Sequence, residues 1–220
     1  MLIVFDLDGT LLNTIADLTD AVNYALRVHR FPPRNQTQCL QFVGNGVTKL
    51  VERALPEGAR SSSIVTDVRD SFSAYYNAHL TDKTTIYPGI EEILSALQKR
   101  QIKIAVASNK YQTATEKIIT HFFPQIPFAA ILGQREGVSV KPDPTIVYDI
   151  LQRTGEDKTR CLYVGDSDVD MQTARNAGIR SCAVTWGFRS RKLLTGCHPD
   201  YVIDRPEELL NILNVFSNAR

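Results

Sequence analysis

An α/β fold, a parallel sheet interrupted early by a block of helices, is predicted by three observations. From residue 82 onward, short apolar runs alternate with amphipathic stretches of helical period. A continuous apolar run, Leu2–Phe5, stands at the start as a fully buried strand of the parallel kind would. Between about 14 and 81 the apolar residues recur at helical spacing, with no convincing strand. Alternation of strand and helix implies right-handed crossovers and a parallel sheet.

The elements follow in order. After Leu2–Phe5 the chain turns at Asp6-Leu-Asp-Gly-Thr10. In the helical block, Ile15, Leu18, Val22 and Leu26 fall on one helical face. Val47, Leu50, Val51, Ala54 and Leu55 do the same after Gly44-Asn-Gly46, and a third helix over 61–80 opens on serines able to cap it. Beyond Tyr87, Pro88 opens a helix carrying Ile90, Ile93, Leu94 and Leu97. Its acidic first turn (Glu91, Glu92) and basic last turn (Lys99, Arg100) suit the helix dipole. Strands are predicted at 102–107, 128–132, 161–164, 181–185 and 201–203. Helices are predicted at 111–121, 142–153, 168–177 and 206–216. The expected organisation is a discontinuous core, 1–13 with 82–220, and a helical insert, 14–81.

Bulk properties narrow the function. The chain has 220 residues, 43% of them hydrophobic, enough to bury a sizeable core without disulfide or metal staples. Lys plus Arg is 25 and Asp plus Glu is 24, and no basic tract is present, so nucleic acid is not an expected partner. Cys39, Cys161, Cys182 and Cys197 lie far apart with no metal-ligand spacing; Cys161 and Cys182 read as small core residues. A reducing, cytoplasmic compartment is the expectation. The start reads as strand rather than signal peptide, and no apolar run approaches the roughly 18–20 residues of a membrane span. Near-zero net charge is compatible with a monomer or a homodimer.

In an open parallel α/β sheet, sites form beyond the carboxyl ends of the strands. Four polar clusters sit at such ends: Asp6 and Asp8; Ser108 and Asn109; Lys141; and Asp166, Ser167, Asp168 and Asp170. Each has a bland reading. Asp-x-Asp-Gly can be turn chemistry, Ser108-Asn109 a helix cap, Lys141 a solvated charge, and Gly165-Asp-Ser167 a helix entry. All four at equivalent strand ends would require four coincidences. Several carboxylates meeting at one place are tolerated around a hard divalent cation, and an all-oxygen set suits magnesium. A cation, a lysine and hydroxyl and amide donors together describe a site for a dianion such as phosphate.

These clusters resemble, in order, the four motifs of the haloacid dehalogenase superfamily: Asp6-Leu-Asp-Gly-Thr-Leu-Leu12, Ser108-Asn109, Lys141-Pro-Asp-Pro144, and Gly165-Asp-Ser-Asp-Val-Asp170 running on to Ala177-Gly178. The resemblance spans the whole chain, including Tyr87-Pro-Gly89 and Thr185-Trp-Gly187. It implies a Rossmann-like core with a helical cap and a magnesium-dependent phosphohydrolase. Asp6 would be the nucleophile, forming an aspartyl-phosphate. Asp8 would protonate the leaving oxygen and then deprotonate the hydrolytic water. Asp6, Asp166 and the backbone carbonyl of Asp8 would hold Mg2+, with Asp170 acting from behind them. Lys141, Ser108 and Asn109 would hold the phosphoryl oxygens, and Thr10 would steady the turn beside them. The acidic residue at position 8 favours phosphoryl over dehalogenase chemistry.

The loop Phe42-Val-Gly-Asn-Gly46 resembles the cap loop of the phosphoglycolate phosphatase branch, which implies a small phosphorylated metabolite as substrate. Gly44 and Gly46 allow close approach, and Lys49 could bind a substrate carboxylate; equally, Lys49 and Arg53 could be ordinary surface cations. The alternatives within the superfamily are a sugar-phosphate phosphomutase and a pyrophosphatase or nucleotidase; a non-catalytic binding module is the alternative outside it. Asn13 stands where many relatives carry aspartate, outside the expected metal set.

Overall fold

The computed structural model describes residues 1–218, with side chains through residue 213. It divides into two compact units, Met1–Leu12 with Ile86–Arg220, and Asn13–Thr85.

The first unit is built on six parallel strands. They are β1 (Leu2–Phe5), β4 (Lys103–Tyr111), β5 (Ala130–Gln134), β6 (Cys161–Gly165), β7 (Arg180–Val184) and β8 (Tyr201–Ile203), in the order β5-β4-β1-β6-β7-β8. A second, two-stranded sheet pairs β2 (Leu12–Asn13) with β3 (Thr85–Ile86). All four residues of β1 are buried, as its uninterrupted apolar run requires of a central strand. Alternate side chains serve opposite faces. Ile3 and Phe5 join a core with α5 (Ile90–Lys99), α6 (Gln112–Phe122) and α10 (Leu209–Asn218), whereas Leu2 and Val4 join one with α7 (Thr145–Thr154) and α8 (Asp168–Ala177). Cys161 and Cys182 are fully buried in these cores.

The register positions the chemistry. Phe5 lies beside Val106 on one side and Val164 on the other, and the Asp6 amide donates to the Val164 carbonyl at 2.9 Å. Asp6, Ala107 and Gly165 therefore reach the carboxyl edge of three adjacent strands at one level. The strand order reverses about β1, where open α/β sheets form their crevice.

Several boundaries differ from those the sequence predicts. β4 runs on through Ser108 and Asn109 to Tyr111, because β5 pairs with its far end: Tyr111 lies opposite Gln134 after an irregularity beyond Ala107. α7 starts at Thr145 rather than 142, because Asp143 Oδ1 accepts from the Thr145 amide at 2.9 Å and closes a turn between two prolines. α5 starts at Ile90, after Gly89 in the left-handed region (φ 83°). The short helix α9 (Arg191–Gly196) has one buried residue, Leu194, and so no periodicity to read.

The second unit comprises α1 (Ile15–Val28), α2 (Gln36–Phe42), α3 (Val47–Ala54) and α4 (Ser62–Ala78). The stripe Ile15, Leu18, Val22 and Leu26 is buried, as are Leu50, Val51 and Ala54 of α3, and Val65, Val68, Phe72 and Tyr76 of α4. α2 escaped prediction because Cys39 is its one buried residue; a capping box between Asn35 and Gln38 fixes its start. Asp17, on α1, is 2% exposed. Its carboxylate accepts from the Lys83 amide at 2.9 and 3.1 Å, the Thr84 amide at 2.8 Å and the Thr84 hydroxyl at 2.7 Å. One buried side chain thus holds the two ends of this unit together. Among the described residues, no helix is long and apolar enough to cross a membrane.

Candidate active site

Lys141 is the centre of the site. Its Nζ is 2.8 Å from Asp6 Oδ1 and 2.7 Å from Asp170 Oδ1, and it also lies 3.0 Å from both the Ala107 carbonyl and the Tyr163 hydroxyl. Burial alone would lower its pKa; Asp170 and then Asp6 more than offset that, and the ammonium stays charged. Asn109 fixes the lysine's backbone, donating from Nδ2 to the Lys141 carbonyl at 3.0 Å and accepting the Lys141 amide at 2.8 Å. Asp170 is fully buried; its Oδ2 accepts from the Ser167 hydroxyl at 2.6 Å and the Ser167 amide at 3.1 Å, completing the capping box that opens α8. The cap that starts this helix thus also orients the carboxylate that holds the lysine.

Asp166 is the third carboxylate. It accepts from the Thr10 hydroxyl at 3.1 Å and from the Phe188 amide at 2.6 Å. Gly9, in the left-handed region (φ +87°), packs so closely that an added Cβ would lie 2.3 Å from Asp166 Oδ2; a Cβ on Gly187 would meet Asp166 Cβ at 2.3 Å. One ligand oxygen from each of Asp6, Asp166 and Asp170 lies within 4.8 Å of the others. The crowding is costly. Burial, then Asp170, push the Asp6 carboxyl well above the usual carboxylate range, against the pull of Lys141. Burial and then Asp170 push Asp166 up to about 7.

A fourth carboxylate, Asp8, pairs with Lys110, whose Nζ is 3.1 Å from Asp8 Oδ1. Four carboxylates against two ammonium groups leave a deficit of two positive charges, which one divalent cation would fill. The donor set is oxygen throughout, the chemistry that suits magnesium.

The sequence-predicted residues of the core converge: Asp6, Asp8, Ser108, Asn109, Lys141, Asp166 and Asp170 all meet at this edge. Thr10 and Asn109 make their contacts within the site itself. The Thr10 hydroxyl is buried and directed to Asp166, and the Asn109 amide is engaged with Lys141. Ser108 is 1% exposed, and its Oγ accepts from the Lys110 amide at 3.2 Å. In the helical unit, Lys49 is exposed and paired with Glu52 at 2.6 Å on its own helix, and Arg53 donates to the Phe42 carbonyl at 2.9 Å, bracing the 42–46 loop.

Sequence reasoning passed over Lys110 and Tyr163. Lys110 directly follows Ser108-Asn109, but with the strand expected to end at 107 nothing local placed it on the same strand as Ser108. Tyr163 was the one hydroxyl inside an apolar run; it donates towards the Ala107 carbonyl at 3.2 Å and Asp170 Oδ1 at 3.3 Å.

Comparisons with known proteins agree with this geometry. Residues 3–184 match the family model of haloacid dehalogenase-like hydrolases. A phosphoglycolate phosphatase of Haemophilus influenzae (strain 86-028NP) is 32% identical over 218 residues, covering 96% of this chain and 97% of that protein. One from Cereibacter sphaeroides is 36% identical over 193 residues, covering 85% and 86%. The crystal structure of a provisional phosphoglycolate phosphatase from Lactobacillus delbrueckii subsp. bulgaricus superposes with a TM-score of 0.89 at 33% identity, covering 94% of this chain and 95% of that one. Four polar clusters on one sheet edge, and a family match across most of the sequence, lead to one assignment: the chain belongs to the haloacid dehalogenase-like hydrolases.

Proposed function

We propose that this protein is a magnesium-dependent phosphatase that hydrolyses a small phosphomonoester of the phosphoglycolate type through a phosphorylated aspartate. The observation that carries the reading is Lys141, buried and bonded to both Asp6 and Asp170 beside a third carboxylate. Such an arrangement places an ammonium beside the carboxylate oxygen that meets an incoming dianion, and a divalent cation would supply the remaining positive charge.

Asp6 attacks phosphorus in line; the bond to the leaving oxygen breaks, and that oxygen takes a proton from Asp8. Asp8 then accepts a proton from water as the water displaces phosphate from Asp6. Lys141, held by Asp170 and by the Asn109 clamp, offsets the repulsion between the Asp6 carboxylate and the phosphoryl oxygens. Thr10 and the Phe188 amide fix Asp166. Asp6, Asp166 and the carbonyl of Asp8 would hold the cation, which when bound supplies further positive charge to the phosphoryl oxygens. The helical unit is read as the counterpart of the family's cap.

Phosphate release from a panel of phosphomonoesters tests this directly. Turnover that requires magnesium and prefers phosphoglycolate is expected. Transfer between sugar phosphates without net phosphate release would instead identify a mutase.

The metal assignment has a second test. In the metal-free protein the Asp166 carboxyl titrates near 7, above its unfolded value. The folded state therefore binds the extra proton, and the stability this contributes is lost as pH rises through about 7. A cation that takes the proton's place restores it. Magnesium should therefore raise the melting temperature by about 3 °C more at pH 8 than at pH 6, for a linkage of about 1 kcal/mol. Equal shifts at the two pH values would count against Asp166 as a ligand.

A further inference from the structure

Lys110 occupies a place that the phosphoryl chemistry does not require. It sits near the end of β4 with its side chain 5% exposed, and its ammonium lies 3.1 Å from Asp8 Oδ1. A buried ammonium loses its hydration and is retained against that cost where it serves a charge. Lys141 already serves Asp6 and Asp170 on the phosphoryl side. Lys110 is placed beside the other carboxylate, the one that in the proposed reaction hands its proton to the leaving oxygen. Whatever is attached to that oxygen must pass close to Asp8, and hence close to Lys110. The Asp8 side chain is 14% exposed and that of Lys110 5%, so the pair is not wholly sealed from solvent.

We propose that Lys110 is a specificity-determining residue of this site: its ammonium binds an anionic group, a carboxylate in the first instance, on the leaving-group side of the substrate. The inference rests on the phosphatase reading above and assigns the recognition of the leaving group's charge to the core, whereas the sequence's candidates were the loop Phe42–Gly46 and Lys49. An ammonium shared between Asp8 and a substrate carboxylate also ties recognition to catalysis. The same contact that holds the leaving group keeps Asp8 beside its bridging oxygen, so a neutral leaving group forgoes both binding and alignment.

The test compares phosphoglycolate with 2-hydroxyethyl phosphate, which replaces the carboxylate by a neutral hydroxymethyl group. Both are measured with the magnesium-loaded full-length protein as wild type, Lys110→Met, Lys110→Arg and Lys49→Ala. The wild type is expected to prefer phosphoglycolate. Lys110→Met should lower kcat/KM for phosphoglycolate by about 30- to 100-fold, through both KM and kcat, and for the neutral ester by less than about 3-fold. Lys110→Arg should restore part of the preference, and Lys49→Ala should leave it. A Lys110→Met enzyme that keeps the preference overturns the proposal while leaving the phosphatase reading intact. So does one that loses both activities equally, since that marks Lys110 as a support for Asp8 alone. A preference lost in Lys49→Ala and kept in Lys110→Met moves recognition to the helical unit. A wild type that hydrolyses both esters without preference overturns the proposal and the phosphoglycolate assignment together, and leaves phosphatase activity standing.

Discussion

Asp6→Asn should abolish turnover, lowering kcat by about 10³-fold or more, equivalent to at least about 4 kcal/mol of transition-state stabilisation. The amide keeps the shape of the carboxylate and cannot form the phosphoryl ester. The readout that separates chemistry from folding is stability. Burial and the neighbouring Asp170 penalise the charged form of Asp6, so removing its charge relieves crowding, and Lys141 keeps Asp170 as a partner at 2.7 Å. The metal-free variant should therefore melt no lower than wild type at pH 8. Residual turnover within tenfold of wild type would remove Asp6 from the nucleophile's role, and a large fall in melting temperature would show the loss to be structural.

Lys141→Met should have the largest effect on stability. The lysine is 2% exposed, and its ammonium is the shared partner of two buried carboxylates. Methionine conserves most of the volume and so isolates the charge. Breaking a buried pair by removing one partner costs about 3–5 kcal/mol, because it strands the other charge. The cost should depend on pH in a definite direction. Without the lysine the Asp6 carboxyl, already raised, rises further; its folded pKa exceeds its unfolded one, so stability is retained at low pH and lost as pH climbs through the folded value. Urea unfolding at pH 5 and pH 8 should show most of the deficit at pH 8. A deficit independent of pH would mean that packing, not charge, is what Lys141 contributes.

The parallel core was legible because its strands are buried on both faces and read as unbroken apolar runs: Leu2–Phe5 and Cys161–Gly165 needed no tertiary information. The acidic members of the site and Lys141 were legible because strand ends punctuate such runs with polar residues. What the sequence hid were roles that depend on register and on backbone partners. Nothing local to Asn109 shows that its amide clamps a residue 32 positions away, and nothing local to Thr10 shows that its hydroxyl faces Asp166. Lys110 was hidden because the strand was expected to end at 107, three residues before it; once β4 is seen to run to Tyr111, Ser108 and Lys110 fall two apart along one strand. Short helices such as α2 and α9 bury one residue each and leave no period to detect.

Asp17 has a consequence for how such a molecule can change over generations. By gathering the amides of Lys83 and Thr84 onto the first helix of the second unit, it makes that unit a loop closed upon itself, with its entry and exit side by side. A module closed in this way can be lengthened, replaced or excised while asking of its host only a short splice between Leu12 and Ile86. The sheet and its carboxylates can therefore stay fixed while the inserted piece changes.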